Sequence, residues 1–156
     1  METTMTALEQ FQVAEVELVY KSKVKASQRP RIFHSGDVYE IFKQSLDENK
    51  IDFIEQFKIM LLNRSNRVLA IYEVSTGGIT GVVADPRVII TAALKANAIS
   101  IALAHNHPSG DIKPSREDEA LTEKIRNAGL FLDIKVIDHV IITSESYFSF
   151  ADEGLL

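Results

Sequence analysis

The apolar positions of this chain change period several times, and each change marks an element. Met1 to Glu9 shows no period and reads as a frayed terminus. From Glu15 to Tyr20 apolar and polar residues alternate, with Val16, Leu18 and Tyr20 on one side, which predicts a strand. Lys21 to Arg31 is basic and irregular, and Pro30 stops any helix there. Ser35 then caps a helix from about Gly36 to Leu46, with Val38, Ile41, Phe42 and Leu46 as its buried stripe. A short helical or irregular stretch leads through Ile51. Glu55 to Leu62 and Val68 to Val74 form a predicted hairpin around Asn63-Arg64-Ser65-Asn66. Gly77, Gly78 and Gly81 break the pattern.

The second half repeats a simpler grammar. Asp85-Pro86 is a cap followed by proline at the first helical position, so a helix runs from there to about Asn97. Ile89, Ala92, Ala93 and Ala96 share its face. Ile99 to Ala104 is a nearly unbroken apolar run, the mark of a strand buried on both faces. Ser115 opens another helix, which Gly129 ends by its tolerance of left-handed φ. Leu130 to Val136 and Val140 to Thr143 finish as strands. The order βαββαβαββ predicts an α/β fold, a mixed sheet flanked by helices.

Composition sets the outer bounds. A chain of 156 residues suits one domain with its own core. The formal charge of −5 argues against a protein that wraps nucleic acid electrostatically. Lys21, Lys23, Lys25, Arg29 and Arg31 are the only candidate DNA contact, and a solvated charged loop is the simpler account of them. There is no cysteine, which removes disulfides, thiolate nucleophiles and every Cys-ligated zinc site, and fits a cytoplasmic protein. Met1 to Gln10 lacks the apolar core of a signal peptide, and no apolar run is long enough for a bilayer.

The candidate chemistry sits just past the buried strand. His105 and His107 are one residue apart, so extended backbone aims both imidazoles to one side. Asp118 lies in the first turn of the next helix, across a loop shaped by Pro108, Gly110 and Pro114. Two imidazoles and a carboxylate make a three-ligand zinc set with one open position. Iron or manganese would accept the same ligands. Ser115 and Asp118 also match a capping box, in which both serve only the helix end. Asp138-His139 reads as a turn between strands with His139 on the edge, or as a group that orients a ligand from behind. His34 precedes a helix cap and reads as structural or exposed. Arg87 is left between a substrate contact and an ion pair.

His105-x-His107, seven residues, Ser115, two residues, Asp118 matches the JAMM metalloprotease signature without a gap. The longer string from His105 to Asp111, followed by Pro114-Ser115 and Asp118, closely resembles the RadC-like branch of that superfamily. The likeness runs from about Phe53 to Ser149 and takes in Glu55-x-Phe57, Leu62-Asn63, Pro86-Arg87, Asn97-Ala98, Asp138-His139 and Ser149. The resemblance implies the three-layer architecture of JAMM and cytidine-deaminase-like folds. It implies that His105, His107 and Asp118 ligate zinc, that Glu55 holds and deprotonates the attacking water, and that Ser115 supports the oxyanion. The implied reaction is hydrolysis of a peptide or isopeptide bond.

Other zinc hydrolases do not fit. Nucleoside deaminases need a Pro-Cys-x-x-Cys and helical zincins a His-Glu-x-x-His, and this chain has neither. The rival reading is a DNA-repair-associated module that binds DNA or repair proteins without peptidase activity. Longer RadC-like proteins carry a helix-hairpin-helix domain ahead of the catalytic one. Here the residues before Glu55 show no paired hairpin, so the expectation is a stand-alone RadC-like JAMM domain over 1–156, with 1–35 as a strand and loop extension.

Overall fold

The computed structural model describes residues 12–78, 81 and 83–156. Its elements are α1 (Ser35–Ser45), β1 (Gln56–Leu62), β2 (Val68–Thr76), α2 (Pro86–Lys95), β3 (Ser100–Asn106), α3 (Arg116–Phe131), β4 (Lys135–Ile142) and β5 (Tyr147–Ser149), with a 3-10 turn at Ala26–Gln28. The reading of Met1 to Glu9 falls outside the described residues.

The strands form one sheet in the order β2-β1-β3-β4-β5. β1 is antiparallel to both β2 and β3, β3 is parallel to β4, and β5 is antiparallel to β4. β3 is therefore central, which explains why every one of its residues is buried. Alternation along the strands divides the core in two. Met60, Leu62, Ala102, Ala104, Val140 and Ile142 pack against Val38, Tyr39 and Phe42 of α1. Phe57, Ile59, Leu61, Ile101, Leu103 and Val136 pack against Ile89 and Ala93 of α2 and Ile125 of α3. The result is the expected α/β architecture, a mixed five-stranded sheet between helices.

Local chemistry sets the joints. Asn63 Oδ1 accepts from the backbone N–H groups of Ser65 and Arg67, and Asn66 takes a left-handed φ, which closes the β1–β2 hairpin. The Asp85 carboxylate accepts from Arg87 N and caps α2. α1 begins one residue earlier than expected, with His34 as cap. The Asp37 carboxylate accepts from the backbone of Phe33 and His34 there, while Ser35 Oγ instead donates to Asp152 and bonds Tyr147.

Four expectations are corrected. Glu15 to Tyr20 forms no strand, and Val16 and Leu18 are 89% and 77% exposed. Alternation makes a strand only where a neighbour completes the ladder, and none among the described residues pairs with it. Gly129 does not end α3 with a left-handed φ. That conformation falls on Asp133, four residues on, and Gly129 sits in the last turn. Leu130 and Phe131 belong to α3 rather than to a strand. Finally, the last pair of strands is not split at Asp138-His139. β4 runs straight through both, and the second strand is Tyr147–Ser149.

Candidate metal centre

β3 ends at Asn106, and its carboxyl end is the site. His105 is its penultimate residue, 2% exposed, on the face covered by α2 and α3. His107 follows, still in register, because its N–H donates to Ile142 O of β4. A tight turn comes next. Gly110 N donates to His107 O, and Gly110 holds a φ of +84° that a side chain would resist. The chain then reverses into α3, whose first turn carries Asp118.

The three side chains meet. His105 Nε2 and His107 Nε2 are 3.0 Å apart. Asp118 Oδ1 lies 3.2 Å from His105 Nε2, and Oδ2 lies 3.4 Å from His107 Nε2. Two ligands on a tetrahedral zinc, at about 2.0–2.1 Å each, stand roughly 3.3 Å from one another. The three atoms already hold that spacing. His107 Nδ1 lies 2.6 Å from Asp111 O, and a carbonyl can only accept, so the ring hydrogen is on Nδ1. In the neutral ring Nε2 is then a bare lone pair facing the other two groups. These residues fit a divalent cation.

The electrostatics point the same way. Burial acts to raise the Asp118 pKa, but the facing His105 and His107 rings and the Ser115 N–H outweigh it, and the carboxyl is held far below the usual range. Burial acts to lower the His107 pKa, but Asp118 and the Asp111 carbonyl reverse it, and the net shift is upward. Asp118 is therefore an anion at neutral pH, as a metal ligand must be.

The capping box and the cluster are not alternatives. Ser115 N donates to Asp118 Oδ2 at 2.8 Å, and Asp118 N donates to Ser115 Oγ at 3.0 Å. The cap holds the Asp118 carboxylate in place while it faces the imidazoles. Ser115 Oγ accepts in that pair, which leaves its own hydrogen to donate.

Glu55 immediately precedes β1 and is half-buried. Phe57 pairs with His105, so extending the antiparallel register by two residues on each strand brings Glu55 abreast of His107. Glu55, His107, Ser109, Ser115 and Asp118 line one cleft of about 570 Å³. A larger apolar hollow of about 680 Å³ lies between β2 and α2 and holds none of these residues. Arg87 lines that hollow and pairs with Asp85 at 3.0 Å. His34 is an exposed helix cap.

The family described as RadC-like JAB domain matches residues 32–155. This chain belongs to that family. It is similar to a UPF0758 protein of Flavobacterium johnsoniae, 45% identical over 125 residues, covering 80% of this chain and 53% of the relative. A UPF0758 protein of Chlorobium chlorochromatii is 36% identical over 145 residues, covering 92% and 64%. One of Symbiobacterium thermophilum is 43% identical over 103 residues, covering 66% and 44%. The chain thus spans about half the length of the curated relatives it matches. No helix among the described residues is long and apolar enough to cross a membrane.

Two contributors to this RadC-like site, Asn106 and Thr122, carry no signal in the sequence. Asn106 is fully buried, and its Oδ1 accepts from Gln56 N at 2.7 Å while Nδ2 donates to Ile51 O and Ile54 O. It clamps the loop that delivers Glu55. An asparagine between two histidines gives no signal of this, because its partners are fifty residues away. The second, Thr122, bonds His139. The Asp138-His139 pair reads in sequence as an edge turn or as a group that orients a ligand from behind, and the edge turn is excluded, since His139 is fully buried in β4, 2.8 Å from His105 Nδ1.

Proposed function

We propose that this domain is a zinc-dependent hydrolase of amide bonds, peptide or isopeptide. The convergence of His105 Nε2, His107 Nε2 and the Asp118 carboxylate at 3.0, 3.2 and 3.4 Å carries the reading. A zinc ion held by those three groups would leave one position open, lower the pKa of water toward 7 and polarise a carbonyl. Glu55, on the wall of the same cleft, takes the proton from the attacking water and returns it to the leaving amine. Ser115 donates its hydroxyl hydrogen to the carbonyl oxygen as that atom gains charge, an interaction of about 3 kcal/mol at the transition state. Asp111 O and Asp118 hold the His107 ring, and the Ser115 cap holds Asp118, so the cleft needs little rearrangement.

Metal analysis of purified protein tests the reading. About one zinc per chain is expected in the parent and none in His107→Ala. The same measurement covers iron and manganese. Parent protein without any of the three metals, after growth in metal-replete medium, sinks the proposal.

A further inference from the structure

His139 is fully buried in the middle of β4, and it bonds the site through another ring rather than directly. Its two nitrogens are both engaged. Nε2 lies 2.8 Å from His105 Nδ1, and Nδ1 lies 2.6 Å from Thr122 Oγ1. Thr122 Oγ1 in turn lies 2.6 Å from the backbone carbonyl of Asp118. We infer that His139 and Thr122 form a proton-ordered relay that fixes the His105 tautomer and presents its bare Nε2 to the metal position. The metal half of this inference rests on the function proposed above.

The order of the hydrogens follows from counting them. Two oxygens 2.6 Å apart must share a hydrogen, and Asp118 O has none, so the Thr122 hydroxyl donates to it. That hydrogen is then spent. The contact between Thr122 Oγ1 and His139 Nδ1 needs another, which only the ring can supply, so His139 carries its hydrogen on Nδ1. His139 is fully buried and packed between the rings of Phe150 and Phe57, where a charged ring is disfavoured, so it holds one hydrogen and Nε2 is an acceptor. His105 Nδ1 must therefore donate to it, and in the neutral His105 ring Nε2 keeps its lone pair. The His139 ring is itself fixed, stacked on Phe150 at 4.8 Å and edge-on to Phe57 at 5.6 Å.

The consequence concerns ligation. An imidazole can bind a metal through either nitrogen, and the partner of the other nitrogen decides which. His107 is set from behind by a backbone carbonyl, and His105 by this chain of side chains. The chain ends on the carbonyl of Asp118, so it also links two of the three ligand residues. His139 and Thr122 touch no ligand atom and are positioning residues.

Long-range 1H–15N correlation of the imidazole rings in 15N-labelled, metal-free protein tests the relay directly. His105 and His139 are both expected with hydrogen on Nδ1. Either ring found with its hydrogen on Nε2 overturns the inference. Zinc titration against a chromophoric chelator then separates positioning from packing. His139→Phe keeps the ring stack but offers no acceptor, and about a 10–100-fold loss of zinc affinity is expected. His139→Gln places a carbonyl near the old Nε2 and should recover most of that loss. Equal affinities for the Phe and Gln variants overturn the relay. If His139→Phe does not fold, Thr122→Val removes the acceptor of His139 Nδ1–H along with the hydroxyl bond to Asp118 O, and an unchanged His139 spectrum in that variant overturns it. Parent protein that binds no zinc refutes the metal reading alone, since the ring spectra still decide the relay.

Discussion

The Asp118 carboxylate is shared between a helix cap and a pair of imidazoles, and the two tasks can be separated by substitution. Asp118→Asn keeps an oxygen for Ser115 N but loses the charge that His105 and His107 face. Its far-ultraviolet circular dichroism should match the parent, while bound zinc falls to background. Glu55→Gln should do the reverse, retaining zinc and losing a factor of about 10²–10⁴ in turnover of an amide substrate. A Glu55→Gln protein with parental turnover would remove Glu55 from the chemistry. These residues differ in how they could be read from sequence. His105, His107, Ser115 and Asp118 lie within fourteen positions, and short spacing converts directly into geometry on a strand end and a helix start. Glu55 is fifty residues from His105 and came only through family resemblance, because pairing of β1 with β3 is a long-range fact. His139 stayed ambiguous between a turn and a ligand-orienting group because a polar pair between apolar runs looks like a turn. Only the Asp138 environment explains it. That carboxylate accepts from Ser149 Oγ, Ala151 N and His139 N, and burial, working against those bonds, leaves its pKa raised.

At the scale of elements, periodicity was a good guide wherever a partner existed. α2 and β3 appear where their patterns put them, since each buries its stripe against the sheet or the helices. Glu15 to Tyr20 has the pattern but joins no ladder among the described residues, and it stays exposed, with Tyr20 Oη reaching Leu69 O of β2. The end of α3 misled for a related reason. Gly129 is needed not for its φ but for its missing side chain, because a Cβ there would sit 2.3 Å from Ile134 O. Alanine is the better helix former by about 1 kcal/mol. The clash is with backbone and should win, so Gly129→Ala is expected to destabilise by roughly 1–3 kcal/mol, as overpacking does. A denaturant midpoint at or above the parental value would contradict this. α1 gives a pH prediction. The Phe33 N–H, helped by His34, holds the Asp37 carboxyl below its usual value against a small opposing effect of burial. A depressed folded pKa stabilises above the unfolded value, near 3.9, and that gain is lost as pH falls through the folded one. The melting-temperature gap between parent and Asp37→Asn should be full at about pH 6 and shrink as pH falls below the unfolded value of about 3.9. A gap that persists at low pH would show that the cap works without the charge.

Across the whole molecule, the candidate site draws on three parts of the fold whose strands and helix share one core. His105 and His107 belong to the end of the central strand, Asp118 to the start of α3, and Glu55 to the loop that Asn106 clamps ahead of β1. A cation held at their meeting point would bind the folded chain and not the unfolded one, since the unfolded chain does not hold these groups at 3.0–3.4 Å spacings. Binding to the native state alone stabilises by about 2.7 kcal/mol at a free ligand concentration of 100 times Kd. For a domain of this length that corresponds to a rise in Tm of roughly 5–10 °C. Zinc added to metal-free protein should produce that rise, and a chelator should reverse it. His107→Ala should show almost none of it, while Glu55→Gln should show it in full, because Glu55 faces the cleft without being needed to hold the ion. A rise of equal size in parent and His107→Ala would mean that zinc stabilises the chain somewhere other than this cluster.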